Sequence, residues 1–164
     1  MPEIGEKWVP NLPNEDFELI AKTHHNFQQD KFDLGKPFPK AKKTLKQLKT
    51  LGFKVAAVSN RTRDSLHIAL KKAKLSPYFD FVVSAEDVKN PKPHKDHVLA
   101  ALEYLNIESV NSFMVGDTEH DILAGKSAGT KTIGVTYGFA GKEIVKHNPD
   151  FIIDNIEEVL NLLK

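Results

Sequence analysis

The run Phe113-Met114-Val115-Gly116-Asp117-Thr118-Glu119-His120-Asp121 joins an apolar stretch to a helical pattern through one glycine and one carboxylate. Phe113-Met114-Val115 reads as a buried strand, Gly116 permits an unusual turn, and Ile122, Leu123, Ala124 and Ala128 mark the inner side of the following helix. Residues four apart on a helix are neighbours, so Asp117 and Asp121 can face one ligand. That ligand would lie outside the carboxyl end of a strand, where open α/β sheets place their sites, and hard oxygen ligands suit Mg²⁺. The same residues allow another reading, in which Asp117 or Thr118 caps the helix and Asp121 is solvated.

The rest of the chain alternates in the same way. Helices are expected near 38–51, 62–74, 95–105, 119–128, 141–147 and 155–163, and strands near 54–59, 80–84, 112–116, 131–136 and 150–153. This alternation predicts a doubly wound parallel α/β sheet covered on both faces. The lysines at 36, 40, 42, 43, 46 and 49 form the wet side of a helix whose inner side is Phe38, Ala41, Leu45, Leu48 and Leu51. Residues 1–35 differ: Phe17, Leu19, Ile20 and Phe27 among polar neighbours read as an amphipathic helix. Pro37 and Pro39 mark the hinge between that segment and a core over 36–164.

Two further runs carry candidate chemistry. The strand Gly52-Phe53-Lys54-Val55-Ala56-Ala57-Val58 stops on Ser59-Asn60 and is followed by a helix, so a hydroxyl, an amide and a helix N-terminus converge there. Such a corner donates hydrogen bonds to an anion, although Asn60 or Thr62 as a simple cap would serve the same pattern. In Asn90-Pro91-Lys92-Pro93-His94 one lysine sits between two prolines that stiffen the backbone around it. An ammonium held in that way loses little entropy on meeting a phosphate.

In chain order, Ser59-Asn60, Lys92 in Asn-Pro-Lys-Pro, and Val115-Gly116-Asp117 through Asp121 resemble the second, third and fourth motifs of the haloacid dehalogenase superfamily. The resemblance is closest to phosphoglycolate phosphatase-like members and covers residues 36–164, about four-fifths of the chain. It implies a Mg²⁺-dependent phosphomonoester hydrolase in which Ser59, Asn60 and Lys92 bind phosphate, Lys92 also steadies the nucleophile, and Asp117 and Asp121 belong to the metal loop. It implies further that residues 1–35 are the last part of a helical cap.

The first motif of that family, an apolar strand ending in Asp-x-Asp, is not present anywhere in the 164 residues. Asp16 and Asp30 lie in helix-like polar surroundings, Asp33 precedes a Leu-Gly turn, and Asp80 begins a strand instead of ending one. Without the attacking carboxylate no aspartyl-phosphate forms, so feeble or absent phosphatase turnover is expected. The resemblance places the missing strand between the strands ending at Ser59 and Gly116, which would leave a slot roughly 9.6 Å wide, two strand spacings. Lys7-Trp8-Val9-Pro10-Asn11-Leu12 is the one upstream candidate to fill it, weakened by Pro10. A chain beginning midway through the cap, and homodimerisation or strand exchange through the slot, are the corresponding expectations.

Composition excludes several classes. Zero cysteines rule out a disulfide scaffold and a thiolate site, and a net charge of +1 gives no argument for nucleic acid. No stretch of membrane-spanning length or signal-like start is present, so a cytoplasmic location without membrane partners is the expectation. His24-His25 and the pair His94 and His97 lack a third soft ligand for zinc, and His120 is read as partly exposed beside the acidic loop. Three functions remain open: a phosphatase acting on a small phosphorylated metabolite, a pseudoenzyme or interaction module that binds Mg²⁺, phosphate or a partner strand, and an unrelated doubly wound binding protein.

Overall fold

Residues 36–163 are described in the computed structural model of the chain. The chain divides into two units between Lys36 and Pro37, and the described elements all belong to the second. The helix expected within 1–35 and the strand candidate containing Trp8 lie outside the described residues.

Five parallel strands and five α-helices follow one another along the described chain, alternating up to the fourth strand. They are α1 (Ala41–Thr50), β1 (Ala56–Val58), α2 (Arg63–Lys72), β2 (Phe81–Val83), α3 (Asp96–Leu105), β3 (Phe113–Gly116), α4 (Glu119–Ala128), β4 (Lys131–Val135), β5 (Phe151–Ile153) and α5 (Val159–Leu162). β1 pairs with β2, placing Ala57 opposite Val82. β3, β4 and β5 form a second parallel group, with Val115 opposite Ile133 and Gly134 opposite Ile152.

Side chains alternate across a strand, and β3 uses both faces. Met114 packs with Val98, Ala124 and Ala128 beneath α3 and α4. Phe113, its neighbour, packs instead against the cluster of Ile133, Val135, Ile153 and Val159. β3 thus contributes to two clusters, and residues 132–135 of its neighbour β4 are all buried, as expected of a central parallel strand. No helix among the described residues is long and apolar enough to cross a membrane.

Among the described residues no strand pairs with the outer edges of β1 and β3. Ala56, Ala57 and Val58 are only partly buried, and Val115 is 37% exposed despite its place on a core strand. A cavity of about 920 Å³ lies against both strands, lined among others by Val58, Ser59, Lys92, Val115, Asp117 and Asp121.

Several boundaries differ from the sequence reading for local reasons. α1 starts only at Ala41 because Lys40, after Pro39, takes the left-handed conformation with φ 66°. Its inner side is Ala41, Thr44, Leu45 and Leu48, whereas Phe38 and Leu51 are 46% and 64% exposed. Phe38 instead meets Tyr137 edge to face at 4.9 Å. The segment Gly141–His147, expected as an α-helix, is a 3₁₀ turn between the left-handed residues Gly141 and Asn148. It is anchored by one buried side chain, Ile144, so no apolar stripe exists to support a longer helix. The last expected helix divides into a 3₁₀ turn, Ile156–Glu158, and the short α5.

Asp80 ties three of these pieces together. Its carboxylate accepts Lys49 Nζ at 2.5 Å from α1 and the Val55 N–H at 2.7 Å before β1, which the Lys49 bond reflects by holding the carboxyl below its usual range. It is a structural acid at the amino end of β2. The core itself rests on branched side chains without solvent contact, of which Ile133 is fully buried. Ile133→Ala is expected to lower unfolding free energy by about 3 kcal/mol in denaturant titrations. A loss below about 1 kcal/mol would mean that the β4 core is looser than described.

Candidate functional site

The carboxyl ends of four strands converge on one region. β1 delivers Ser59 and Asn60, β2 delivers Ser84, β3 delivers Asp117, and β4 leads into Tyr137, Gly138 and Phe139.

Asp121 organises this region. Thr118 is the N-cap of α4 and Asp121 its third residue, forming a reciprocal capping box. The Asp121 Oδ2 atom accepts the Asp117 N–H at 3.2 Å, the Thr118 N–H at 3.1 Å and the Thr118 hydroxyl at 2.7 Å. Its Oδ1 atom accepts Lys92 Nζ at 2.6 Å. Three of these bonds share Oδ2 and one falls on Oδ1, so Oδ1, with two lone pairs, keeps an acceptor position for the cation expected there. Burial opposes ionisation of Asp121, but the Lys92 charge and hydrogen bond, joined by the Thr118 donors, outweigh it and hold the carboxyl below its ordinary range. Gly116 makes the arrangement possible, because a Cβ there would collide with the Asp121 side chain. The solvated alternative for Asp121 is thus not what the structure contains: the residue is 6% exposed.

Lys92 is equally fixed. Besides Asp121, its Nζ donates to the Val58 carbonyl at 2.9 Å, and the side chain is only 10% exposed. The Lys92–Pro93 peptide is cis. Its backbone is gripped by Asn60, whose Nδ2 donates to the Lys92 carbonyl at 2.8 Å and whose Oδ1 accepts the Lys92 N–H at 3.0 Å. Asn60, expected to meet an anion, lines the cavity and also holds the Lys92 backbone. Bonds from neighbouring elements, beyond the flanking prolines, hold the lysine.

Ser59 stands beside Val58 at the same edge, and its Oγ accepts the Arg61 N–H at 3.2 Å, which leaves its hydroxyl proton for another acceptor. The first N–H of α2, from Arg63, donates to Glu86 at 2.9 Å. That helix start, read as part of an anion corner, is thus engaged by a carboxylate of the chain itself.

Asp117 is placed by the loop after β4. Its Oδ2 accepts the Phe139 N–H at 2.8 Å and its carbonyl accepts the Ala140 N–H at 3.1 Å. A Cβ on Gly138 would collide with the Asp117 side chain, so the loop approaches as closely as a backbone can. Burial and the nearby Asp117 and Glu158 charges push the Tyr137 phenol up to about 12, keeping it neutral beside the site. No hydrogen bond among the described residues engages Asp117 Oδ1. Among the described residues no group of three or more His, Asp or Glu side chains could hold a metal ion. Mg²⁺ commonly binds through one or two carboxylates and completes its shell with water and phosphate oxygens, which the Asp117 carboxylate fits. His120 is exposed and lines the same cavity, while His94 pairs with Asp96 at 2.7 Å.

Ser59, Asn60, Lys92, Asp117 and Asp121 are therefore brought to one cavity. Sequence reasoning missed the supports. Thr118-Glu119-His120-Asp121 has the capping-box spacing and was legible as such, but nothing local marks Gly138, Phe139 or His97 as partners of residues far away in the chain.

A parallel α/β sheet carries a buried lysine and an acidic capped turn at its carboxyl edge. The sequence matches the haloacid dehalogenase-like hydrolases over residues 4–135, and the chain belongs to that family. Pyrophosphatase PpaX of Bacillus pumilus (strain SAFR-032) is 41% identical over 121 residues, 73% of this chain and 56% of that protein. Pyrophosphatase PpaX of Bacillus cereus (strain B4264) is 34% identical over 164 residues, 99% of this chain and 76% of that protein. The chain thus spans just over half the length of the first relative and about three-quarters of the second. The crystal structure of a predicted phosphoglycolate phosphatase from Haemophilus somnus shares the fold, with a TM-score of 0.86 at 22% identity over 98% of this chain and 72% of that one. A predicted phosphatase from Clostridium acetobutylicum aligns with a TM-score of 0.82 at 25% identity, covering 98% of this chain and 75% of that one.

Removing one member of a buried ion pair strands the other, typically at a cost of 3–5 kcal/mol. Asp121→Asn is accordingly expected to destabilise the fold by about 3 kcal/mol at pH 7 in denaturant melts. The folded carboxyl lies below its unfolded value, so its contribution is present above about pH 4 and lost as pH falls through the folded value. The gap between wild type and variant should narrow in acid; a gap that is small at pH 7, or that grows below pH 4, contradicts the brace.

Proposed function

We propose that this site binds the phosphoryl group of a small phosphorylated metabolite together with Mg²⁺, as in a haloacid dehalogenase-like phosphatase. The observation that carries this reading is the Lys92 ammonium, pinned by Val58 and Asp121 at the carboxyl edge of the sheet between Ser59 and the Asp117 turn. A point charge held by a neutral carbonyl and one carboxylate attracts a multiply charged oxyanion without having to be ordered first. The Ser59 hydroxyl proton supplies a directional donor beside it. Asp117 would hold the cation, whose chemistry is to neutralise phosphoryl oxygen charge, and Asp121 supports both by fixing the Lys92 ammonium and the Asp117 backbone.

The names of the relatives suggest a phosphate or diphosphate compound as ligand. With no Asp-x-Asp in the 164 residues, the polypeptide is proposed to bind such compounds while turning them over feebly or not at all. The same observation favours a second reading, a module that uses the pocket for binding alone.

Calorimetry on the purified chain tests the assignment. Mg²⁺ and inorganic phosphate should bind to wild type, Asp117→Ala should abolish the Mg²⁺ heat, and Lys92→Ala should weaken phosphate by at least about tenfold while circular dichroism shows a folded protein. Hydrolysis of p-nitrophenyl phosphate should stay near the uncatalysed rate. Unchanged binding in both variants would remove the site, and brisk hydrolysis would refute the proposed loss of turnover.

A further inference from the structure

His97 plays no part in the reading above, yet it is fully buried on the first turn of α3. Its Nδ1 atom lies 3.2 Å from the Lys92 backbone nitrogen, which can only donate. Its Nε2 atom lies 3.0 Å from the Ser84 carbonyl oxygen, which can only accept. Both bonds exist together in one form of the ring, neutral with its proton on Nε2.

Each end of this bridge is itself tied down. The Ser84 N–H and hydroxyl donate to Asp87 Oδ2 at 2.7 and 2.6 Å, and Arg63 reaches Asp87 Oδ1 at 2.5 Å from α2. The Ser84 hydrogen bond, foremost among these, draws the Asp87 carboxyl down to about 2. On the other side the Lys92 N–H is shared between His97 and Asn60. The Lys92 backbone is thus held between the carboxyl ends of β1 and β2, and its side chain can then reach Val58 and Asp121.

Resting on the phosphoryl-pocket reading, we propose that His97 is a positioning residue: its neutral imidazole couples the Lys92 amide to Ser84 and so sets where the Lys92 ammonium meets an oxyanion. The charged groups facing the ring are Lys92, Asp87 from the turn after β2, and Asp96 beside it on α3, with Asp96 in turn paired to His94. Burial, the largest influence, favours the neutral ring and places its titration below the ordinary imidazole value. Above that pH the Nδ1 acceptor is available. Below it the ring carries two protons, Nδ1 no longer accepts, and the Lys92 amide keeps only Asn60.

Sulfate, which does not titrate in this range, is the probe, followed by calorimetry between pH 4.5 and 8 on wild type, His97→Leu, His97→Gln and Lys92→Ala. His97→Leu should weaken sulfate binding about tenfold at pH 7, the lower end of what loss of an outer-shell partner does elsewhere. His97→Gln keeps an acceptor for Lys92 and a donor for Ser84 and should recover most of that loss. The ratio of wild-type to His97→Gln affinity cancels the other titrating groups and should fall as pH drops below the ordinary imidazole range. A constant ratio across the range, or wild-type affinity in His97→Leu, overturns the proposal with the pocket reading intact. Unchanged sulfate affinity in Lys92→Ala removes the pocket reading and this inference with it. Should His97→Leu fail to fold, the pH-dependent ratio from His97→Gln still decides.

Discussion

A single carboxylate, that of Asp121, carries the geometry of this site. It closes the first turn of α4 from within, receives the backbone of Asp117, and neutralises a lysine that arrives from another part of the chain. A bond of this kind is an exacting one. Taking a lysine and an aspartate to 10% and 9% side-chain exposure removes most of their hydration, and only well-formed hydrogen bonds to both carboxylate oxygens offset that loss. The structure meets the requirement with the Thr118 hydroxyl, two N–H groups and the Lys92 ammonium. Gly116 follows as a necessity, since any side chain there would occupy the space of Asp121.

From this brace comes a division between residues that hold and residues that touch. Gly138 and the Phe139 N–H only hold, Asn60 and Asp121 hold while also lining the cavity, and Lys92, Ser59 and Asp117 present groups to it. Asn60 and the Phe139 N–H come from different loops and fix position through backbone atoms, whereas Asp121 engages the Lys92 ammonium directly. A pocket whose groups are already held in this way loses less entropy on binding than one that must first be ordered. The open edges of β1 and β3 contrast with that arrangement. They border the same cavity, and their partial exposure sets them apart from the buried β4.

Much of the fold was legible in the sequence because apolar runs and helical stripes alternate so regularly. All five strands in the described region stand where the pattern put them; Ser59 and Asp117 could be picked out by their place at strand ends, and Lys92 by its two flanking prolines. What could not be read were pairings between distant segments. Asn60 looked like a ligand donor since its amide is chemically suited to anions, and only the fold brings the Lys92 backbone to it first. His97 looked ordinary because its partners, Ser84 and Lys92, are thirteen and five residues away in the chain and on different elements. The Gly141–His147 turn misled for a simpler reason: a single buried isoleucine between two left-handed residues does not support an α-helix.

The most direct test is a crystal structure of the chain grown with Mg²⁺ and tungstate, a heavy tetrahedral stand-in for phosphate. The account predicts tungstate oxygens within hydrogen-bond distance of Lys92 Nζ and Ser59 Oγ, a cation on Asp117, and an Asp121 carboxylate still joined to Thr118 and Lys92. Tungstate bound away from Lys92, or an Asp121 side chain turned out to solvent, would contradict it.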